Sequence, residues 1–170
     1  MHVFLTGERG IGKSWAIQRA VSLLGRTPYG FLTRFQAGEG GADSLHMIPP
    51  SGEECMNEEN RIALRREGRM VLLPERFDIL STGLLRAAEL HPEGVILMDE
   101  CGHLEAESDQ FHREILRCLE GEIPVLGALR MDQPWHAFIK NHPRVKVFSV
   151  TVENRDALPG KVAETLLMEQ

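Results

Sequence analysis

The sequence predicts a three-layer α/β fold: a single domain over residues 1–170, with a mostly parallel central sheet and a hairpin at the sheet edge. Three observations carry this. Short apolar runs alternate with segments of helical period along the chain. Val95–Met98 is an unbroken apolar run, the composition of a strand buried on both faces. The glycine-rich turn Gly38–Gly41 joins two strand-like runs and marks the hairpin.

The elements follow in order. His2–Thr6 is a first buried strand. Gly12–Leu24 is a helix, with Trp15, Ala16, Ala20, Leu23 and Leu24 on its apolar side and Gly25 as its stop. Tyr29–Phe35 is a second strand, and Ser44–Ile48 returns beside it. Ser51–Arg76 is polar and charged; a short helix is expected around Glu58–Arg66, with Arg61, Arg65, Arg66 and Arg69 in solvent. Phe77, Leu80, Leu84, Ala87 and Ala88 predict a helix before a turn at His91–Gly94. The strand Val95–Met98 comes next. Phe111, Ile115, Cys118 and Leu119 share one face of another helix. Ile123–Leu129 and Val145–Val150 are strands flanking a short helix near Pro134. Pro159 opens a last helix carrying Val162, Leu166 and Leu167.

A chain of 170 residues suits one core, and 42% apolar with 26% charged residues is ordinary for a globular protein. The net charge of −6 gives no global attraction to nucleic acid or to an acidic membrane. Cys55, Cys101 and Cys118 are far apart and lack metal-ligand spacing, so free structural thiols and no zinc site are expected. The chain starts on a core strand, and no apolar run approaches the roughly 20 residues that cross a bilayer. A cytoplasmic protein is expected.

Gly7-Glu8-Arg9-Gly10-Ile11-Gly12-Lys13-Ser14 satisfies G-x-x-x-x-G-K-[ST], the P-loop or Walker A pattern, between a strand and a helix. A loop that wraps a phosphate turns its N–H groups inward, which needs positive φ and little bulk; glycine allows both. The helix N-terminus adds its dipole. Lys13 reaches the β- and γ-phosphates, and the Ser14 hydroxyl suits Mg²⁺. Loop and sheet together predict a P-loop fold that binds nucleoside triphosphates.

Val95–Met98 runs into Asp99-Glu100, at the strand end where open α/β sheets place their chemistry. Asp99 would complete the Mg²⁺ shell opposite Ser14, through water. Glu100 would activate the attacking water, with Glu105 and Glu107 as rivals. Arg130 ends the Ile123–Leu129 strand and is a candidate for the γ-phosphate; Arg9 and Arg155 compete with it.

These residues resemble the THEP1-type nucleoside-triphosphatases over nearly the whole chain. The likeness lies in the P-loop, in Gly30-Phe31-Leu32-Thr33, in the run from Met98 to Glu105, and in Thr151-Val152-Glu153-Asn154-Arg155-Asp156. It implies hydrolysis of ATP, GTP and other nucleoside triphosphates with Mg²⁺ and little base preference, with Asn154 and Arg155 facing base or ribose. His103 and Leu104 stand where the family usually has lysine and methionine, and Met70-Val71 departs from its usual pattern.

Two other functions use the same loop. One is a kinase with an arginine-rich lid over Ser51–Arg76, against which Glu100 beside Asp99 suits a water-activating site better. The other is a nucleotide-binding regulatory module with negligible turnover. Trp15, Trp135 and Tyr29 form no evident stacking platform for single-stranded nucleic acid. His103, His112, His136 and His142 lack zinc-motif spacing and are expected on the surface or in turns. The seven methionines are expected to fill core gaps.

Overall fold

Val3, Phe4 and Leu5 are fully buried, and their alternation decides how the sheet is dressed. Phe4 points into one core and Val3 and Leu5 into another, as successive strand residues must. The computed structural model describes residues 1–50 and 56–168. Cys55 and the start of the polar stretch Ser51–Arg76 lie outside them.

The first strand, β1, is His2–Gly7, followed by helix α1, Lys13–Leu24. β2 is Pro28–Gln36, β3 Ser44–Ile48, β4 Arg61–Arg66 and β5 Arg69–Leu72. Helix α2, Pro74–Ala88, leads to β6, Val95–Cys101, and α3, Asp109–Glu120, leads to β7, Val125–Arg130. The short α4, Ala137–Lys140, precedes β8, Val145–Ser149, and α5, Leu158–Leu167, follows it. The described strands form one sheet in the order β5-β4-β3-β2-β6-β7-β1-β8. β2, β6, β7, β1 and β8 run parallel, and β2 through β5 form an antiparallel meander.

One face buries Ala16, Ile17 and Ala20 of α1 with Val162 and Leu166 of α5 against Leu97, Leu126 and Ala128. The other buries Phe77 and Leu85 of α2 with Phe111 and Ile115 of α3 against Phe31 and Met98. Phe111 meets the edge of Phe77 at 5.0 Å between ring centres, a favoured aromatic geometry. Among the described residues no helix is long and apolar enough to cross a membrane.

Several expectations need correction. The helix expected around Glu58–Arg66 is strand β4. A two-residue turn with positive φ at Glu67 and Gly68 joins it to β5, the geometry that suits a tight hairpin. The expected edge hairpin is therefore extended by two more strands. Trp15 and Leu23 are about half exposed, because α1 packs through the Ala16–Ile17–Ala20 stripe instead. Leu167 is likewise half exposed, one position off the buried Leu158, Val162 and Leu166 stripe. His136 is fully buried, below the ends of β6 and β7 against the backbone of Cys101 and Arg130.

Candidate active site

The C-terminal ends of β1, β6 and β7 converge on the loop between β1 and α1. Gly10 and Gly12 hold φ of 78° and 112°, conformations an L side chain rarely adopts. Gly12, left-handed, caps α1, whose first-turn N–H groups face the loop. Lys13 is only 6% exposed, and its ammonium donates to the carbonyls of Gly7 and Glu8 at 2.9 and 3.0 Å. The lysine thus folds back onto the backbone of its own loop.

Ser14 follows, and its hydroxyl donates to Asp99 Oδ1 at 3.2 Å. Asp99 is 3% exposed, at the end of an otherwise apolar strand. Burial raises its carboxyl above the usual range, opposed by the Ser14 hydrogen bond and the charge of Arg34. Arg34 Nη1 lies 3.9 Å from Asp99 Oδ2. Sequence reasoning missed Arg34, because only the parallel β2–β6 register, which pairs Leu32 with Asp99, brings it there. A hydroxyl beside a carboxylate is a hard oxygen pair. Mg²⁺ takes one or two such protein oxygens together with waters and phosphate oxygens, so these residues fit it.

Glu100 is half-buried, where the β6–β7 register shifts between Met98 and Cys101. Glu105 lies in the 3-10 turn Leu104–Glu107, is 5% exposed, and accepts the Gly102 N–H at 2.9 Å. Burial pushes its carboxyl up to about 7; the backbone hydrogen bonds oppose this, Glu100 reinforces it and Arg130 opposes it. Trp135 Nε1 donates to the Gly102 carbonyl at 2.9 Å, so both ends of that residue are held. Glu107, the third acidic candidate, is exposed.

Arg130 pairs in register with Gly7 at the end of β7, which brings it to the loop. It is exposed, and its Nη1 donates to His103 Nδ1 at 3.2 Å. Burial, then Arg130 itself, lowers the His103 pKa, which keeps the ring a neutral acceptor. Arg9 is exposed within the loop. The Arg155 Cδ is 4.0 Å from where a side-chain carbon on Gly12 would stand. The Asn154 amide is engaged locally, accepting the Thr151 N–H at 2.9 Å and donating to the Ser149 carbonyl at 2.8 Å. It shapes the turn that presents Arg155. Within the stretch expected as an arginine lid, Arg61, Arg65, Arg66 and Arg69 lie in strands β4 and β5, with Arg65 paired to Asp43 at 2.7 Å and Arg61 to Glu58 at 3.7 Å.

A family model described as NTPase matches residues 2–163. The chain belongs to the THEP1-type nucleoside-triphosphatase family. The Hyperthermus butylicus nucleoside-triphosphatase THEP1 is 31% identical, over 97% of this chain and 90% of that one. A cancer-related nucleoside-triphosphatase homolog from Mus musculus is 30% identical over 92% of each. The crystal structure of THEP1 from Aquifex aeolicus superposes with a TM-score of 0.76 over 98% of this chain and 99% of that one. At 20% identity it speaks for the fold. The solution structure of a human cancer-related nucleoside triphosphatase gives 0.70 at 27% identity, over 99% of this chain and 98% of that one. In this THEP1-type chain His103 serves Arg130 as a hydrogen-bond acceptor.

Proposed function

We propose that this protein hydrolyses nucleoside 5′-triphosphates, ATP, GTP, CTP and UTP alike, to the diphosphate and phosphate with Mg²⁺. The observation that carries the reading is the 3.2 Å approach of Ser14 to Asp99 beside the glycine-rich loop. A phosphate cradle and an oxygen pair for a divalent cation are thereby adjacent.

The N–H groups of residues 7–14 and the N-terminus of α1 bind the phosphate chain. Lys13 exchanges its two loop carbonyls for β- and γ-phosphate oxygens. Ser14 would hold Mg²⁺ directly and Asp99 would support it through water, and the ion would supply positive charge to the phosphate chain. Glu100 accepts a proton as the water oxygen bonds to the γ-phosphorus and the bond to the β-phosphate oxygen breaks. Arg130 adds positive charge from the β7 side. Arg155, presented by the Asn154 turn beside Gly12, offers a flat guanidinium to any base, which supports weak selectivity.

The test is phosphate release from the four triphosphates by the parent and by Lys13→Ala. The parent should turn over all four at rates within about tenfold, a spread of one weak contact. Lys13→Ala should lose binding and turnover together, by about a hundredfold. No release by the parent, or parental release by Lys13→Ala, overturns the reading.

A further inference from the structure

A cation stands beside the buried carboxylate of this site. Arg34 lies two residues beyond Leu32, which pairs with Asp99, so its Cα is about 7 Å further along the sheet than that pairing level. An arginine side chain spans such a gap, and Nη1 reaches to 3.9 Å from Asp99 Oδ2 while donating to the Thr33 carbonyl at 3.2 Å. The other Asp99 oxygen accepts the Ser14 hydroxyl. One carboxylate thus has a hydroxyl on one side and a guanidinium on the other. The Arg34 side chain is 24% exposed and the Asp99 side chain 4%, so the pair sits where charges are weakly screened.

That arrangement suits the free protein and conflicts with the loaded one. A divalent cation between Ser14 and Asp99 adds two positive charges next to a guanidinium, which repels it. A triphosphate brings about four negative charges to the same place. The guanidinium then has a better partner within its own reach, the terminal phosphoryl oxygens, which it engages in bidentate fashion. The strand order places this group opposite Arg130. β2 and β7 flank β6, so Arg34 and Arg130 bracket Asp99 and Glu100 from two sides.

We propose that Arg34 is a catalytic residue, held on Asp99 in the free protein and transferred to the terminal phosphoryl group when the metal–triphosphate complex binds. It distinguishes triphosphate from diphosphate, because the diphosphate lacks the group it takes. The proposal rests on the hydrolase reading above.

Equilibrium titration of parent, Arg34→Ala and Arg34→Lys with Mg²⁺ and either a non-hydrolysable ATP analogue or ADP tests it, together with steady-state ATP turnover. Arg34→Ala should bind the triphosphate analogue about tenfold more weakly and ADP within about twofold of the parent. Its kcat should fall about a hundredfold. Arg34→Lys should recover part of the triphosphate affinity and little of the turnover, since ammonium lacks the planar fork. If Arg34→Ala does not fold, Arg34→Gln takes its place with the same expectations. Parental affinity and turnover in the variant overturn the proposal. So does an equal loss of both ligands, which marks Arg34 as a support for Asp99 alone. A parent that binds nucleotide but releases no phosphate overturns the hydrolase reading itself. An inactive Lys13→Ala beside a fully active Arg34→Ala removes only Arg34.

Discussion

Ser14 and Asp99 are 85 residues apart in the chain and 3.2 Å apart in space, and that approach joins the phosphate loop to the acidic strand end. It predicts a specific defect. Asp99→Asn keeps the shape and hydrogen bonding of the side chain but removes the charge that attracts a cation. The Mg²⁺ concentration for half-maximal turnover should rise about ten- to a hundredfold, the usual loss when a metal's supporting shell is altered. A metal titration of phosphate release reads this directly, and an unchanged midpoint contradicts the role.

Glu100 is half-buried beside Asp99, and its proposed role as proton acceptor predicts a defect in turnover alone. Glu100→Gln should keep nucleotide affinity within a few-fold and lower kcat about a hundred- to ten-thousandfold, the range of a lost general base. Titration paired with single-turnover kinetics separates the two effects. If Glu105→Gln loses turnover and Glu100→Gln does not, the roles are reversed.

Glu105 predicts a pH effect on stability. Its folded pKa of about 7 lies above the ordinary 4.5, so the folded state binds the extra proton between those values. Stability from this group is therefore full at pH below about 4.5 and falls as pH rises through about 7. The buried rings of His2 and His136, lowered to about 4 by burial, act in the opposite sense and lose stability on acidification below 6.5. Glu105→Gln mimics the protonated acid and removes one slope only. Its melting temperature relative to the parent should rise between pH 5 and pH 8, while acidification should destabilise it more steeply. A constant difference across that range contradicts the assignment.

Gly30 is held at φ 93° inside β2, where a side-chain carbon would come 2.3 Å from the Leu97 carbonyl oxygen. Gly30→Ala should cost about 2–4 kcal/mol, from the strained backbone and the steric conflict together. Chemical denaturation measures it. The same variant should weaken turnover, because β2 carries Arg34 to Asp99 through this ladder.

Local features were legible in the sequence and non-local ones were not. The loop of residues 7–14 could be read because each residue's task, turning the backbone or reaching a phosphate, is set within a few positions. Asp99 and Glu100 were legible because an apolar run ends on them. Arg34 was not, since its meaning depends on which strand lies beside β2. The β4–β5 hairpin was missed because arginines dominate its composition, although the Glu67-Gly68 turn between Leu64 and Met70 was a usable signal. The buried side of α1 was misjudged at Trp15 and Leu23 for a related reason. Helical period gives the width of an apolar stripe, and the sheet beneath decides which residues face inward. His136 is buried against the surface expectation, because nothing near it in sequence says that it packs on the backbone of Cys101 and Arg130.

On the proposed reading, residues 7–14 cradle a triphosphate whose magnesium would lie between Ser14 and Asp99. A crystal structure with a non-hydrolysable triphosphate and magnesium tests it most directly. Phosphate oxygens should lie within hydrogen-bond distance of the loop N–H groups and of Lys13 Nζ, with the metal on Ser14 Oγ. A nucleotide bound elsewhere, leaving Lys13 on the carbonyls of Gly7 and Glu8, would contradict it.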